Sequence, residues 1–166
     1  MVRAESGTEL WVLLCYRLPR EPSTPRITVW RKLKRLGVAQ LVDGLVTLPA
    51  DARTREQLEW IADEVVEAGG QASVWLAHPA SVTQEREVAR AMADARAEEY
   101  QAVIEEATAA LRGDDRTCAR AGARLRAELR RIERRDFFPP PQREIARVAV
   151  QALPAGAGVA AEEALP

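Results

Sequence analysis

One histidine and two cysteines are all that the chain offers as imidazole or thiol groups for nucleophilic attack or metal ligation. That scarcity removes several chemistries at once. His78 stands beside Pro79 and has no second histidine with which to build a metal site or a triad, so it reads as a loop residue. Cys15 and Cys118 have no partners at metal-ligand spacing. They fall in an apolar strand pattern and on an apolar helix face, which marks both as buried thiols of a reducing compartment. No apolar run approaches the ~18 residues of a membrane-spanning helix, and the opening MVRAESGTEL lacks the apolar stretch of a signal peptide. A cytoplasmic chain without membrane contact is expected. Net charge is nearly absent as well: 24 basic and 25 acidic side chains leave −1, so any contact with a polyanion must be local. No phosphate-binding glycine loop or nucleophile motif occurs, and no enzyme activity, cofactor or metal is expected.

What is present is a 166-residue chain, 47% apolar and 30% charged, which suits a globular protein of two small modules. Residues 10–18, LWVLLCYRL, form an apolar run closed by Pro19, the pattern of a central strand. Thr24-Pro25 then offers an N-cap with proline in the first turn. Ile27, Val29, Trp30, Leu33 and Leu36 make the apolar half of the following helix, Arg31, Lys32 and Arg35 lie opposite, and Gly37 stops it. In residues 40–48, QLVDGLVTL, Asp43-Gly44 between two short apolar runs predicts a tight hairpin. Thr54 with Gln57 suggests a capping box for a helix that buries Leu58, Ile61, Ala62 and Val65 and ends at Gly69-Gly70. QASVWLA, residues 71–77, is the last strand. The order predicts an α+β protein with a ferredoxin-like β-α-β-β-α-β unit over residues 9–78, both helices on one sheet face. Trp30, Trp60 and Trp75 fall on its expected core faces.

Beyond Pro79 the pattern becomes helical, and a helical extension is expected over residues 81–153. Ser81 with Gln84 again reads as a capping box, opening a helix that reaches Leu111. Its apolar line shifts from Val88, Met92 and Ala95 to Tyr100, Ile104, Ala107 and Leu111. Gly113-Asp114-Asp115 breaks and recaps the chain, and Cys118, Ala121, Gly122, Leu125, Leu129 and Ile132 form one seam on the next helix, giving an antiparallel helical hairpin. FFPPP, residues 137–141, precedes a short C-terminal helix from Gln142 that is expected to bury Ile145, Val148 and Ala149. From Pro154 the chain is rich in alanine and glycine, and residues 154–166 read as a mobile tail.

Two stretches carry a family resemblance: LWVLLCYRLPREPSTPRITVWRKLKRLGVAQLVDGLVTLPA with the later EVVEAGGQASVW, and RLRAELRRIERRDFFPPPQREIA. Together they resemble the N-terminal domain of ChrB, the chromate-resistance regulator family, with VWRKLKRLG and RDFFP as the most specific segments. The resemblance implies a transcription regulator in which this domain is the DNA-contacting or assembly half. Members of that family continue into a second domain thought to sense the oxyanion. For a chain ending before it, a separately encoded chromate-sensing domain is the implied partner. The β-α start is also similar to the phenylacetate repressors and to the small nucleases of CRISPR adaptation. In those nucleases the first strand ends in Tyr-Asp, whose carboxylate is the expected metal ligand. Here the pair is Tyr16-Arg17, and a guanidinium cannot hold a cation.

Between Arg17 and Arg35 stand seven basic residues and one acid, and between Arg116 and Arg135 eight arginines and two acids. Such faces can neutralise phosphates and release counterions. The candidate DNA contacts are Arg17, Arg26, Arg31, Lys32, Lys34 and Arg35 in the first stretch, and Arg120, Arg124, Arg126, Arg130, Arg131, Arg134 and Arg135 in the second. Against this stands a plainer possibility, ion pairing with the five acids of the second helix and the seven of the long one. Phe137 and Phe138, set beside prolines, are the candidate partner-binding anchors. A homodimer is expected, because regulators match their symmetry to that of their operators. The alternative is a protein-interaction module that does not bind DNA.

Overall fold

The computed structural model describes residues 9–154. The chain runs β1 (Trp11–Arg17), α1 (Thr24–Leu36), β2 (Ala39–Val42), β3 (Leu45–Pro49), α2 (Ala52–Glu67), β4 (Gln71–Ala77), α3 (Val82–Ala110), α4 (Asp115–Glu133) and α5 (Gln142–Gln151). The four strands make one sheet in the order β2-β3-β1-β4, with every neighbouring pair antiparallel. This is the α+β class and the ferredoxin-like strand order expected. Two compact units are distinguished, one up to Met92 and one from Ala93 on, the division falling within α3. Of the tail expected at 154–166, all but Pro154 lies outside the described residues.

In the first unit Val12 and Leu14 of β1 and Val46 and Leu48 of β3 are cross-strand neighbours on one face and fully buried. Val29 and Leu33 of α1 and Leu58, Ile61 and Val65 of α2 complete this core, with α2 packed on β1 and β4 and α1 packed on α2. The hairpin turns at Gly44, φ 76°, where a Cβ would stand 2.5 Å from the Tyr16 carbonyl oxygen, so only glycine fits. Gly37, φ 77°, ends α1 and donates its amide to the carbonyls of Leu33 and Lys34.

Several local expectations shift. Thr24 is already helical, Ser23 stands at the cap, and its side chain makes no capping bond. The capping box of α2 is Asp51 with Thr54, not Thr54 with Gln57. Asp51 Oδ1 accepts from the Thr54 amide at 2.6 Å, and the Thr54 hydroxyl accepts from the Asp51 amide at 2.9 Å. Cys15 is exposed rather than buried. It alternates onto the side of β1 away from Val12 and Leu14, where its cross-strand neighbour Ser73 is also exposed. Trp75 shares that side, opposite Leu13, and is exposed. Trp60 is exposed too, because the line Thr54, Leu58, Ile61, Val65 sets the buried face of α2 and leaves it on the outside. Of the three expected core tryptophans only Trp30 is partly covered. Ile27, placed on the apolar half of α1, is exposed.

In the second unit Tyr100, Val103 and Ala107 of α3 share a core with Cys118, Leu125, Leu129 and Ile132 of α4, Ala146 and Val150 of α5, and Leu153. The seam expected on α4 is the one used. Leu111 lies in the turn just past α3 and is exposed, Ala95 falls outside the core, and Val103 of α3 enters it. On α5 the expected face is wrong by one residue: Ile145 and Val148 are exposed, while Ala146 and Val150 are buried. Its apolar residues span a wide arc from Val148 round to Val150, with Arg143, Arg147 and Gln151 on the other side, so its own pattern does not say which edge of the arc is buried; Ala149, between the two edges, is partly buried against the core. The choice is made at its end, where Leu153 is buried with its Cβ beside Gly122 of α4, 3.2 Å from where a Cβ on that glycine would stand. No helix among the described residues is long and apolar enough to cross a membrane.

Candidate nucleic-acid interface

Helix α1 holds to its unit through Val29 and Leu33, and that anchoring aims its cations. Arg31, Lys34 and Arg35 are exposed and have no carboxylate partner among the described residues. Lys34 Nζ lies 5.0 Å from the centre of the Trp30 ring, a cation–π contact that leaves its charge unneutralised. Lys32 differs: it is half-buried and forms an ion pair with Glu64 of α2. Lys34 and Arg35 occupy the last turn, where they complement the helix dipole, and the first turn holds no acid.

At the other end of α1, Arg17 from the end of β1 and Arg26 from the first turn line one open cleft of about 690 Å³, together with Tyr16, Ile27, Trp30 and Gln40. Asp43 lies in the same cleft and accepts from the Gln40 amide at 3.1 Å. Burial, and then the charge of Asp43, push the Tyr16 phenol above its ordinary pKa, so it stays a neutral donor. Arg17 also borders a second cleft of about 550 Å³ with Arg20, Gly69, Gly70 and Gln71. Arg20 was not among the expected contacts. The signal that could have found it is its place three residues past Arg17 in a short loop, which returns it to the same strand end.

The arginines of α4 are divided. Arg120, Arg130 and Arg134 are exposed, without carboxylate partners among the described residues. The others are engaged. Arg124 pairs with Glu106 of α3, Arg131 with Glu128 at 2.9 Å, and Arg126 donates to the Leu153 carbonyl at 2.6 Å. Arg135 pairs with Glu99, which also accepts from Arg96 at 2.8 Å. About half of the second basic face therefore serves the fold, and the first is the more available.

The RDFFP segment follows α4. The Asp136 side chain is wholly shielded, accepts from the Tyr100 hydroxyl at 2.8 Å and has Arg143 Nη1 at 3.8 Å. Phe137 and Phe138 are half-buried, and Pro140 is buried. Among the described residues no group of three His, Cys, Asp or Glu side chains is placed to hold a metal.

A family model described as "Protein ChrB, N-terminal" matches residues 26–116. That span begins in the first turn of α1 and ends at the start of α4, so it contains the α1 cations and stops before RDFFP. Protein ChrB of Cupriavidus metallidurans is 31% identical over 132 residues, 78% of this chain and 40% of that relative. The chain therefore spans about 40% of the length of the curated relative it matches. No solved structure matches.

Proposed function

The chain belongs to the ChrB N-terminal family, and from that premise we propose that it is the DNA-contacting half of a chromate-resistance-type transcriptional regulator. The observation that carries this reading is the state of α1: Arg31, Lys34 and Arg35 stand exposed without carboxylate partners among the described residues, while their neighbour Lys32 is tied to Glu64. Arg17, Arg20 and Arg26 extend the cationic surface around the start of the same helix. Exposed cations of this kind fit phosphate contact, which positions a protein on a duplex, rather than base reading. Arg120, Arg130 and Arg134 are a second candidate set. The role is non-enzymatic and needs no cofactor. Chromate sensing is assigned to a further domain, in the same protein or a separately encoded one.

The test is a salt titration of binding to a DNA fragment. A steep fall of log affinity with log salt is expected, flattened by Arg31→Glu combined with Arg35→Glu. No binding at low salt overturns the proposal.

A second reading, a protein-interaction module, is favoured by one observation: Ile145 and Val148 of α5 are exposed on a helix whose opposite side is packed. Under that reading Phe137 and Phe138 adjoin the partner surface, the arginines solubilise it, and loss of the exposed apolar pair abolishes partner capture while DNA is never bound.

A further inference from the structure

The two edges of the sheet are built differently. β2 is four residues long and its register slips between Gln40 and Val42, a break of the kind that discourages further pairing. β4 carries no such device. Its seven residues, QASVWLA, include no charge and no proline, and they pair in unbroken register with β1. Among the described residues no strand lies on its outer side. Its two large side chains are uncovered on opposite faces, Trp75 at 61% and Leu76 at 48% exposure. A row of unpaired N–H and C=O groups along an uncharged strand is complementary to one thing, another extended strand.

We propose that β4 is a dimer interface at which a second copy of this chain adds its own β4 antiparallel, about a two-fold axis through Val74, joining the two sheets into one. The strand is self-complementary in that register. Ser73 opposes Trp75 of the partner subunit, Ala72 opposes Leu76 of the partner subunit, and Gln71 opposes Ala77 of the partner subunit. Each exposed large side chain thus meets a small one on its own face, at the spacing of directly opposed residues. Charge agrees with this arrangement. No like charges are opposed within the strand. The Gln71 end lies beside exposed Arg17, its partner in β1, and the other end lies beside exposed Glu9, whose carbonyl oxygen is 3.2 Å from His78 Nδ1. Antiparallel pairing sets the cationic end of one copy against the acidic end of the other. The helix above the edge extends the covered surface: Val66 of α2 is exposed and lies on the flank away from Glu64, which faces α1. A foreign strand would have to supply this match by chance, whereas a second copy brings it already made. The proposal does not rest on DNA binding.

Sedimentation of the full chain over a range of concentrations should show a dimer. Ser73→Lys and Trp75→Lys place like charges next to the axis and should raise the dimer dissociation constant by about a hundredfold or more, with circular dichroism unchanged. In a Cys15→Ser background, which removes the exposed native thiol, Val74→Cys should oxidise to a covalent dimer and Gln71→Cys should not. The cross-link decides if a lysine variant fails to fold. A monomer at every concentration, a dimer indifferent to both lysines, or equal cross-linking at positions 71 and 74 overturns the proposal.

Discussion

The Tyr100 hydroxyl donates a 2.8 Å hydrogen bond to Oδ2 of Asp136, joining α3 to the turn before α5 across 36 residues of sequence. Burial, and then this bond to Asp136, push the Tyr100 phenol upward, so it remains a donor at neutral pH. The carboxylate is fully shielded and its Oδ1 has no hydrogen-bond partner among the described residues. Tyr100→Phe keeps the ring and removes only the donor. It should cost about 1–3 kcal/mol of unfolding free energy, the usual penalty for stranding a buried polar group. Asp136→Asn should cost less, because the amide oxygen still accepts. Urea denaturation followed by circular dichroism measures both, and an unchanged midpoint for Tyr100→Phe contradicts a stabilising role for the bond.

A second carboxylate acts at a helix start. Asp114 accepts from the Thr117 amide at 2.7 Å, and that bond holds its pKa below the ordinary carboxylate value. Because the folded value is the lower one, the stabilisation is fully present above the unfolded carboxylate pKa and is lost as pH falls through the folded value. Asp114→Asn keeps a capping oxygen without the titration. The wild-type chain should therefore lose more thermal stability than Asp114→Asn between neutral and acidic pH. Parallel curves for the two contradict the assignment.

Which residues were legible from the pattern, and which were not, follows from what sets each. The Asp43-Gly44 turn and the Cys118–Ile132 seam are set locally, by glycine's freedom at positive φ and by one helical period, and both appear as expected. Trp75 and Cys15 are not of that kind. Alternation along a strand sorts residues into two faces but does not say which face the helices cover, and apolar β1 and β4 read as buried on both. α5 fails for a related reason: its apolar arc, from Val148 round to Val150, is wider than the strip that α4 covers, so contact with α4 chooses the edge that is buried. For the candidate site, the cations of α1 were visible as residues. That Lys32 is spent on Glu64, or that Arg124, Arg126 and Arg135 are engaged, depends on acceptors distant in sequence, and no spacing shows it; of the engaged arginines of this face, Arg131 alone has its partner, Glu128, at the i,i+3 spacing of helix neighbours. RDFFP was legible as a motif, but its physical content, the buried Asp136, needed Tyr100 to be seen beside it.

The two thiols should separate cleanly. Cys15 is exposed and Cys118 is buried in the core of the second unit. Under native conditions a soluble thiol reagent should label one cysteine quickly, and Cys15→Ser should abolish that fast phase. Cys118 should react only as denaturant opens the core, because access limits the attack of a buried thiol. Equal rates for the two in the folded protein contradict the placement of Cys15 on the exposed part of its sheet face, beside Ser73 and Trp75.

The sharpest use of α1 lies in the contrast between adjacent cations. If the helix meets phosphates, each unneutralised side chain that does so contributes about 0.9 to the slope of log affinity against log salt. Arg31→Ala and Arg35→Ala should each flatten the slope by about that amount and weaken binding across DNA sequences alike, since phosphate contacts carry no base information. Lys32→Ala removes the same formal charge one position away, yet its ammonium is already paired with Glu64, and the surrounding ion pair is exposed enough that its loss costs the fold little. Its slope should stay near that of the parent chain. This asymmetry separates a placed interface from a simple effect of net charge, which would make the three variants equal. Equal flattening by Lys32→Ala and Arg35→Ala would remove α1 as the contacting surface even if the chain binds DNA by another face.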